Sequence, residues 1–182
     1  MSRLTICMYG AASSNIDDIY IREIEKLGRE IGSRHHRLIY GGGATGLMGA
    51  CARGVSAAGG EIIGVAPSFM SDYELLNESC TELIRTETMG ERKEIMEARS
   101  DAFIIAPGGI GTLDEFFQIL TLTELKRKSA PIILYNINGY YDDLIHFIEI
   151  CIHKGFIRVG VKDLYRVCTA PAEALDMIEY FA

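Results

Sequence analysis

Residues 101–116 read Asp101-Ala102-Phe103-Ile104-Ile105-Ala106-Pro107-Gly108-Gly109-Ile110-Gly111-Thr112-Leu113-Asp114-Glu115-Phe116. The run Ala102 to Ala106 is continuously apolar, as suits a parallel strand covered by helices on both faces. A glycine-rich turn follows, and helical spacing then extends over Leu113 to Lys128. Strand, glycine turn and helix form the repeating half of an α/β sheet, and the same alternation runs through the whole chain. Leu4 to Tyr9, Arg37 to Tyr40, Glu61 to Ala66, Glu82 to Thr86, Pro131 to Tyr135 and Tyr165 to Cys168 read as further strands. Helices are predicted over Asp17 to Ser33, Gly46 to Ala58, Glu91 to Arg99, Tyr141 to Lys154 and Ala172 to Phe181, with Asn15 or Ser14 capping the first. The pattern predicts a Rossmann-like doubly wound parallel sheet of about seven strands with helices on both faces.

Composition sets the outer limits. The chain has 182 residues, 48% of them hydrophobic, and no Pro/Ser-rich linker divides it, so residues 1–182 are expected to form a single nucleotide-binding domain. No apolar run approaches the roughly 20 residues that cross a bilayer. The first run, Leu4 to Tyr9, is too short for a signal-peptide core, and a cytoplasmic location is expected. The five cysteines are scattered, odd in number and free of any C-x-x-C pair, which argues against a disulfide scaffold and a zinc site. His35 and His36 adjoin, and His146 and His153 lie seven apart, so no metal site is expected. A net charge of −7 disfavours a nucleic-acid surface.

Ligands on such a sheet lie beyond the carboxyl ends of the strands. In the turn Pro107 to Thr112, three glycines let N–H groups converge on an anion, and the helix dipole adds positive potential. No lysine follows as in a P-loop, so a monophosphate fits better than a triphosphate. An earlier turn, Gly41-Gly42-Gly43-Ala44-Thr45-Gly46, contains a formal G-x-G-x-x-G. It follows the second strand rather than the first, and Glu61 precedes its strand, so NAD binding is disfavoured. Gly46, Gly49 and Gly59-Gly60 also read simply as sites of tight turning and close helix–sheet packing. Thr112 and Glu115 fit T-x-x-E, in which the carboxylate would cap the helix. Asp114 and Glu124 read as solvent-facing or dipole-complementing charges. Glu91, Arg92, Lys93 and Glu94 read as an exposed helix face, although an arginine at the carboxyl edge of the sheet could grip phosphate or ribose in a bidentate way. The surrounding Met and Tyr residues read as core.

The ordered set Gly41-Gly42-Gly43-x-x-Gly46-Leu47-Met48-Gly49, Glu91-Arg92-Lys93 and Pro107-Gly108-Gly109-x-Gly111-Thr112-x-x-Glu115, with Asn138-Gly139-Tyr140-Tyr141-Asp142, resembles the Lonely Guy (LOG) family from Leu4 to about Ile157. Its members are cytokinin riboside 5′-monophosphate phosphoribohydrolases, long labelled possible lysine decarboxylases. The resemblance implies that Arg92 and Glu115 are the catalytic pair. It implies that Gly108, Gly109, Gly111 and Thr112 hold phosphate, that Ser13 and Ser14 line the nucleotide pocket, and that Met89, Lys93 and Gly43 belong to the substrate site. It also implies a homodimer, for which Phe116-Phe117-Gln118-Ile119-Leu120 offers a face if it is not core. Two departures stand out. Gly90 replaces the family's usual histidine, and Tyr9-Gly10-Ala11-Ala12-Ser13-Ser14 replaces its Cys-Gly-Ser-Ser start.

Breaking a ribosyl–base bond places positive charge on the ribose as the base leaves. Glu115 could stabilise that charge, or orient or deprotonate the attacking water. Arg92 would position the phosphoribosyl group and assist negative charge on the leaving base without transferring a proton. Free base and ribose 5-phosphate would result, with no cofactor or metal. Two alternatives are a non-catalytic nucleotide-binding or cofactor-carrier protein on the same fold, and a pyridoxal-phosphate decarboxylase using Lys93.

Overall fold

The computed structural model describes residues 2–73 and 75–182; of the expected 1–182 unit, Met1 and Glu74 lie outside the described residues. Among the described residues the chain alternates as β1 (Thr5–Tyr9), α1 (Asp18–Ser33), β2 (Arg37–Tyr40), α2 (Gly46–Ala57), β3 (Glu61–Pro67), β4 (Glu82–Thr86), α3 (Met89–Ala98), β5 (Ala102–Ile105), α4 (Ile110–Glu124), β6 (Ile132–Tyr135), α5 (Asp142–His153), β7 (Arg166–Cys168) and α6 (Pro171–Phe181). The strands form one sheet in the order β4-β3-β2-β1-β5-β6-β7, with every neighbouring pair parallel. This is the doubly wound Rossmann-like sheet that the alternation predicts.

The period-two geometry of a strand explains both core layers. All five residues of β1 are buried. Ile6 and Met8 pack with Ile24 of α1, Leu47 of α2 and Leu175 of α6. Cys7 and Tyr9 pack on the other face with Met96 of α3, Phe116 of α4 and Ile148 of α5. From β1 the chain steps outward through β2, β3 and β4, then returns to place β5 on the other side of β1 and steps outward through β6 and β7. The loops that leave β1 and β5 therefore diverge, and a crevice opens between them at the carboxyl ends.

Three local expectations change. The N-cap of α1 is Asp17, without a side-chain hydrogen bond, and not Asn15 or Ser14. Helix α3 begins at Met89, two residues before Glu91. Helix α4 begins at Ile110 with Gly109 as its N-cap. The turn residues are thus already helical, because the first four N–H groups of a helix need no carbonyl from within it.

Helices α1 and α2 cross closely enough to need glycine on both sides. A Cβ on Gly28 would stand 2.2 Å from the Cys51 carbonyl oxygen, and one on Gly54 would stand 2.1 Å from that of Glu25. Alanine is the better helix former by about 1 kcal/mol, so propensity and packing predict opposite signs. Gly28→Ala is expected to lose roughly 1–3 kcal/mol in urea unfolding, as overpacked interiors do. A gain in stability would show that the two helices part freely.

Candidate active site

The crevice between β1 and β5 is drawn together by the loop that leaves β1. The Ala11 N–H donates to the Pro107 carbonyl at 3.0 Å, and the Ala11 carbonyl accepts from the Leu47 N–H at 2.8 Å. Thr45 Oγ1 donates to the Ala12 carbonyl at 2.9 Å. One short loop thereby bridges the glycine turns that follow β2 and β5. Between them lies a cavity of about 230 Å³, lined among others by Gly10, Ala11, Ala12, Gly41, Gly109 and Gly111.

On the β5 side, Leu113 donates to the Gly109 carbonyl at 3.0 Å and so begins the helical ladder. The N–H groups of Gly109, Ile110, Gly111 and Thr112 precede it and are the helix's orphan donors, at the positive end of its dipole. Side chains at Gly109 and Gly111 would meet nothing within 4 Å, so the missing Cβ atoms leave the cradle open. Gly108 has a different reason to be glycine: its Cβ would stand 2.2 Å from Thr112 Oγ1.

Beside the turn stands a buried ion pair. Arg92 Nη2 lies 3.6 Å from Glu115 Oε1, with the side chains 10% and 9% exposed. Glu115 falls four residues after Gly111, so helical periodicity puts both on one stripe of α4. Arg92 Nε donates to the Val65 carbonyl at 3.2 Å, which fixes the side chain and leaves its terminal nitrogens at the cavity. Gly41 makes room for it: a Cβ there would stand 2.1 Å from Arg92 Nη2. Tyr9 also borders the cavity. Burial, with Cys7 and Glu115 close by, pushes its pKa far up, and burial does the same to Cys7. Both remain neutral at physiological pH.

A family model described as "Possible lysine decarboxylase" matches residues 48–178. The chain belongs to this family, the LOG family. It is 35% identical over 173 residues to a rice (Oryza sativa subsp. japonica) relative named probable cytokinin riboside 5′-monophosphate phosphoribohydrolase LOGL5, covering 95% of this chain and 69% of that protein. It is 33% identical over 176 residues to the Arabidopsis thaliana cytokinin riboside 5′-monophosphate phosphoribohydrolase LOG5, covering 97% and 77%. Among solved structures, the molybdenum cofactor binding protein of Rippkaea orientalis superposes with a TM-score of 0.76 at 21% identity over 99% of this chain and 98% of that one. The molybdenum cofactor carrier protein of Chlamydomonas reinhardtii gives 0.75 at 19% identity, with the same coverage. These two share the fold.

The LOG motifs divide between lining and scaffold. Arg92, Glu115, Gly109, Gly111 and Thr112 border the cavity together, while Gly108 shapes the turn behind it. The capping box expected at Thr112 and Glu115 does not form there, because Thr112 is already the third residue of α4. A threonine cap is found instead at α3: Thr88 Oγ1 accepts from the Glu91 N–H at 3.1 Å, while Glu91 Oε2 accepts from the N–H of Glu87, one residue before the cap, at 2.8 Å. Arg92 is likewise not on an exposed face.

Ser13, Ser14, Gly43, Met89 and Lys93 do not line the cavity. Ser13 Oγ accepts from the Asn15 N–H at 3.2 Å and Ser14 Oγ from the Gly46 N–H at 3.3 Å, so the serines shape loops. Gly43 bridges to Leu76. Met89 Sδ lies 3.9 Å from Arg92 Nη1. Lys93 Nζ pairs with Asp114 Oδ2 at 2.9 Å and ties α3 to α4 beside the cavity. Gly10, Ala11, Ala12, Gly41, Met48 and Met70 border the cavity instead. Gly10 and Gly41 are the first residues after β1 and β2, so strand ends were the signal available for them. A larger cavity of about 880 Å³ lies at the opposite edge, among Leu4, Asp101, Ile132 and Arg166 at the starts of the central and following strands. Volume favours it, but the convergent donors and the buried charge pair are at the carboxyl edge, where such sheets bind ligands.

Gly41→Ala is expected to displace the guanidinium and cost about 1–3 kcal/mol in urea unfolding. Much of that loss is expected to vanish in an Arg92→Ala background, a coupling of roughly 1 kcal/mol. Strictly additive costs would show that the guanidinium does not occupy the space left by Gly41.

Proposed function

We propose that this LOG-family enzyme hydrolyses the N-glycosidic bond of nucleoside 5′-monophosphates of the cytokinin class, releasing free base and ribose 5-phosphate at the Arg92–Glu115 cavity. The observation that supports the proposal is that this buried pair and the turn residues Gly109, Gly111 and Thr112 line one cavity. The relatives' printed activity supports it.

The phosphate takes the N–H groups at the start of α4, where a dianion gains most from fixed dipoles. This anchors the ribose beneath Arg92 and Glu115. Met48 and Met70 on the cavity wall offer thioethers to the flat base. As the C1′–N bond breaks, its electron pair leaves with the base and positive charge grows on the ribose. The Glu115 carboxylate stabilises that charge and takes a proton from the water whose oxygen bonds to C1′; that proton is returned to the base or to solvent. Arg92 holds the phosphoribosyl group and favours the departing negative charge through position and electrostatics. Lys93, which Schiff-base chemistry would require, is engaged by Asp114.

We also infer a homodimer and a cytoplasmic setting. Ile110 and Phe117 on α4 and Phe147 on α5 expose 84%, 37% and 59% of their surfaces, while Phe116, Ile119 and Leu120 are core. The five free cysteines suit a reducing compartment.

The test is chromatographic detection of released base from isopentenyladenosine monophosphate, AMP, CMP and their dephosphorylated nucleosides. Nucleotides are expected to turn over and nucleosides not. Glu115→Gln is expected to lower kcat by about a thousandfold, within the range for a removed acid–base group, while AMP affinity measured by calorimetry stays within a few fold. Equal turnover of nucleosides would refute the phosphate anchor. AMP binding without base release across the panel would make the protein a carrier.

A further inference from the structure

The phosphate cradle is built from pliable backbone. Gly108 and Gly109 adjoin, and with no Cβ on either side the peptide between them can rotate where other residues would resist. Rotation would turn the Gly108 carbonyl toward the anion in place of the Gly109 N–H. In a trans peptide the carbonyl and the following N–H point in opposite directions, so holding one aims the other.

Each carbonyl from Ala106 to Gly109 is held by a hydrogen-bond donor. Tyr141 donates its hydroxyl to the Ala106 carbonyl at 2.6 Å. The Ala11 N–H holds Pro107, and the Leu113 N–H holds Gly109, both at 3.0 Å. Tyr140 donates its hydroxyl to the Gly108 carbonyl at 2.8 Å. Of these contacts, only the one from Tyr140 controls the glycine–glycine peptide. We propose that Tyr140 is a positioning residue that aims the Gly109 N–H at the substrate phosphate by restraining the Gly108 carbonyl.

The loop that carries Tyr140 is itself firmly held. Asn138 and Gly139 both take left-handed φ values, 53° and 72°, and reverse the chain after β6. The Asn136 side chain accepts from the Tyr141 N–H and donates to Asp142 Oδ1, both at 2.7 Å. The Tyr140 ring meets those of Tyr20 and Tyr141 edge-on, at 5.9 and 4.9 Å between centroids. Tyr140→Phe keeps these ring contacts and removes only the hydroxyl. Tyr141 supplies the internal comparison: the carbonyl it holds precedes Pro107, which has no N–H to aim.

The inference rests on the nucleotide reading above, and its test uses binding so that the two can fail separately. In calorimetry with AMP, ribose 5-phosphate and adenosine, Tyr140→Phe is expected to weaken both phosphate-bearing ligands by about five- to tenfold, the scale of one backbone hydrogen bond. Adenosine affinity should stay unchanged. The KM for the nucleotide should rise in proportion, with kcat within about twofold, because anchoring is equal in the ground and transition states. Tyr141→Phe is expected to lower the melting temperature and leave the AMP-to-adenosine affinity ratio where it was. Unchanged AMP affinity in Tyr140→Phe, a parallel loss for adenosine, an equal shift in Tyr141→Phe, or wild-type protein that binds no AMP would each overturn the assignment. A wild-type protein that binds AMP but releases no base would defeat the hydrolase reading alone, and the Tyr140 comparison would still be decided by binding.

Discussion

The 3.0 Å hydrogen bond from the Ala11 N–H to the Pro107 carbonyl joins the loops that leave the two strands where the sheet reverses its direction of winding. Parallel pairing of β1 with β5 forces those loops to emerge side by side, while the following helices pack on opposite faces. The crevice is therefore a consequence of topology, and the hydrogen bond sets its width. Arg92 and Glu115 come from helices that flank it, so their approach depends on the same sheet.

Placing charge in such a crevice opposes stability. Desolvating a guanidinium and a carboxylate costs several kcal/mol each, and their attraction repays this only when further hydrogen bonds complete the set. Here the Val65 carbonyl takes Arg92 Nε, and a glycine at 41 removes the atom that would occupy the guanidinium's place. The Lys93–Asp114 pair joins the same two helices nearer to solvent, where an ion pair contributes at most about 1 kcal/mol. The site is held by backbone geometry, with the exposed charges secondary.

Much of the architecture was legible because strand and helix periods are local properties. All seven strands were expected, and β2 and β4 have the predicted ends. The errors fall where local rules compete. T-x-x-E occurs three times, at Thr88–Glu91, Thr112–Glu115 and Thr121–Glu124, and nothing in the four residues says which copy caps a helix. The helix at 110 starts early because glycine residues accept helical backbone once tertiary contacts hold the turn, so the second copy lies inside it. Ser13 and Ser14 make hydrogen bonds within and between loops, and small apolar residues at 11 and 12 line the cavity beside them.

By itself the sequence determined the alternating parallel sheet, the two glycine turns at strand ends and the family to which their order points. These follow from residue size, polarity and period, which act over a few positions. Only the tertiary structure decided that Arg92 is buried against Glu115, that Gly41 and not Gly43 borders the cavity, and that tyrosines from beyond β6 reach the carbonyls of the phosphate turn. Those facts join residues 23 to 51 positions apart, and their distances are set by how strands neighbour one another in the sheet, which no local pattern encodes.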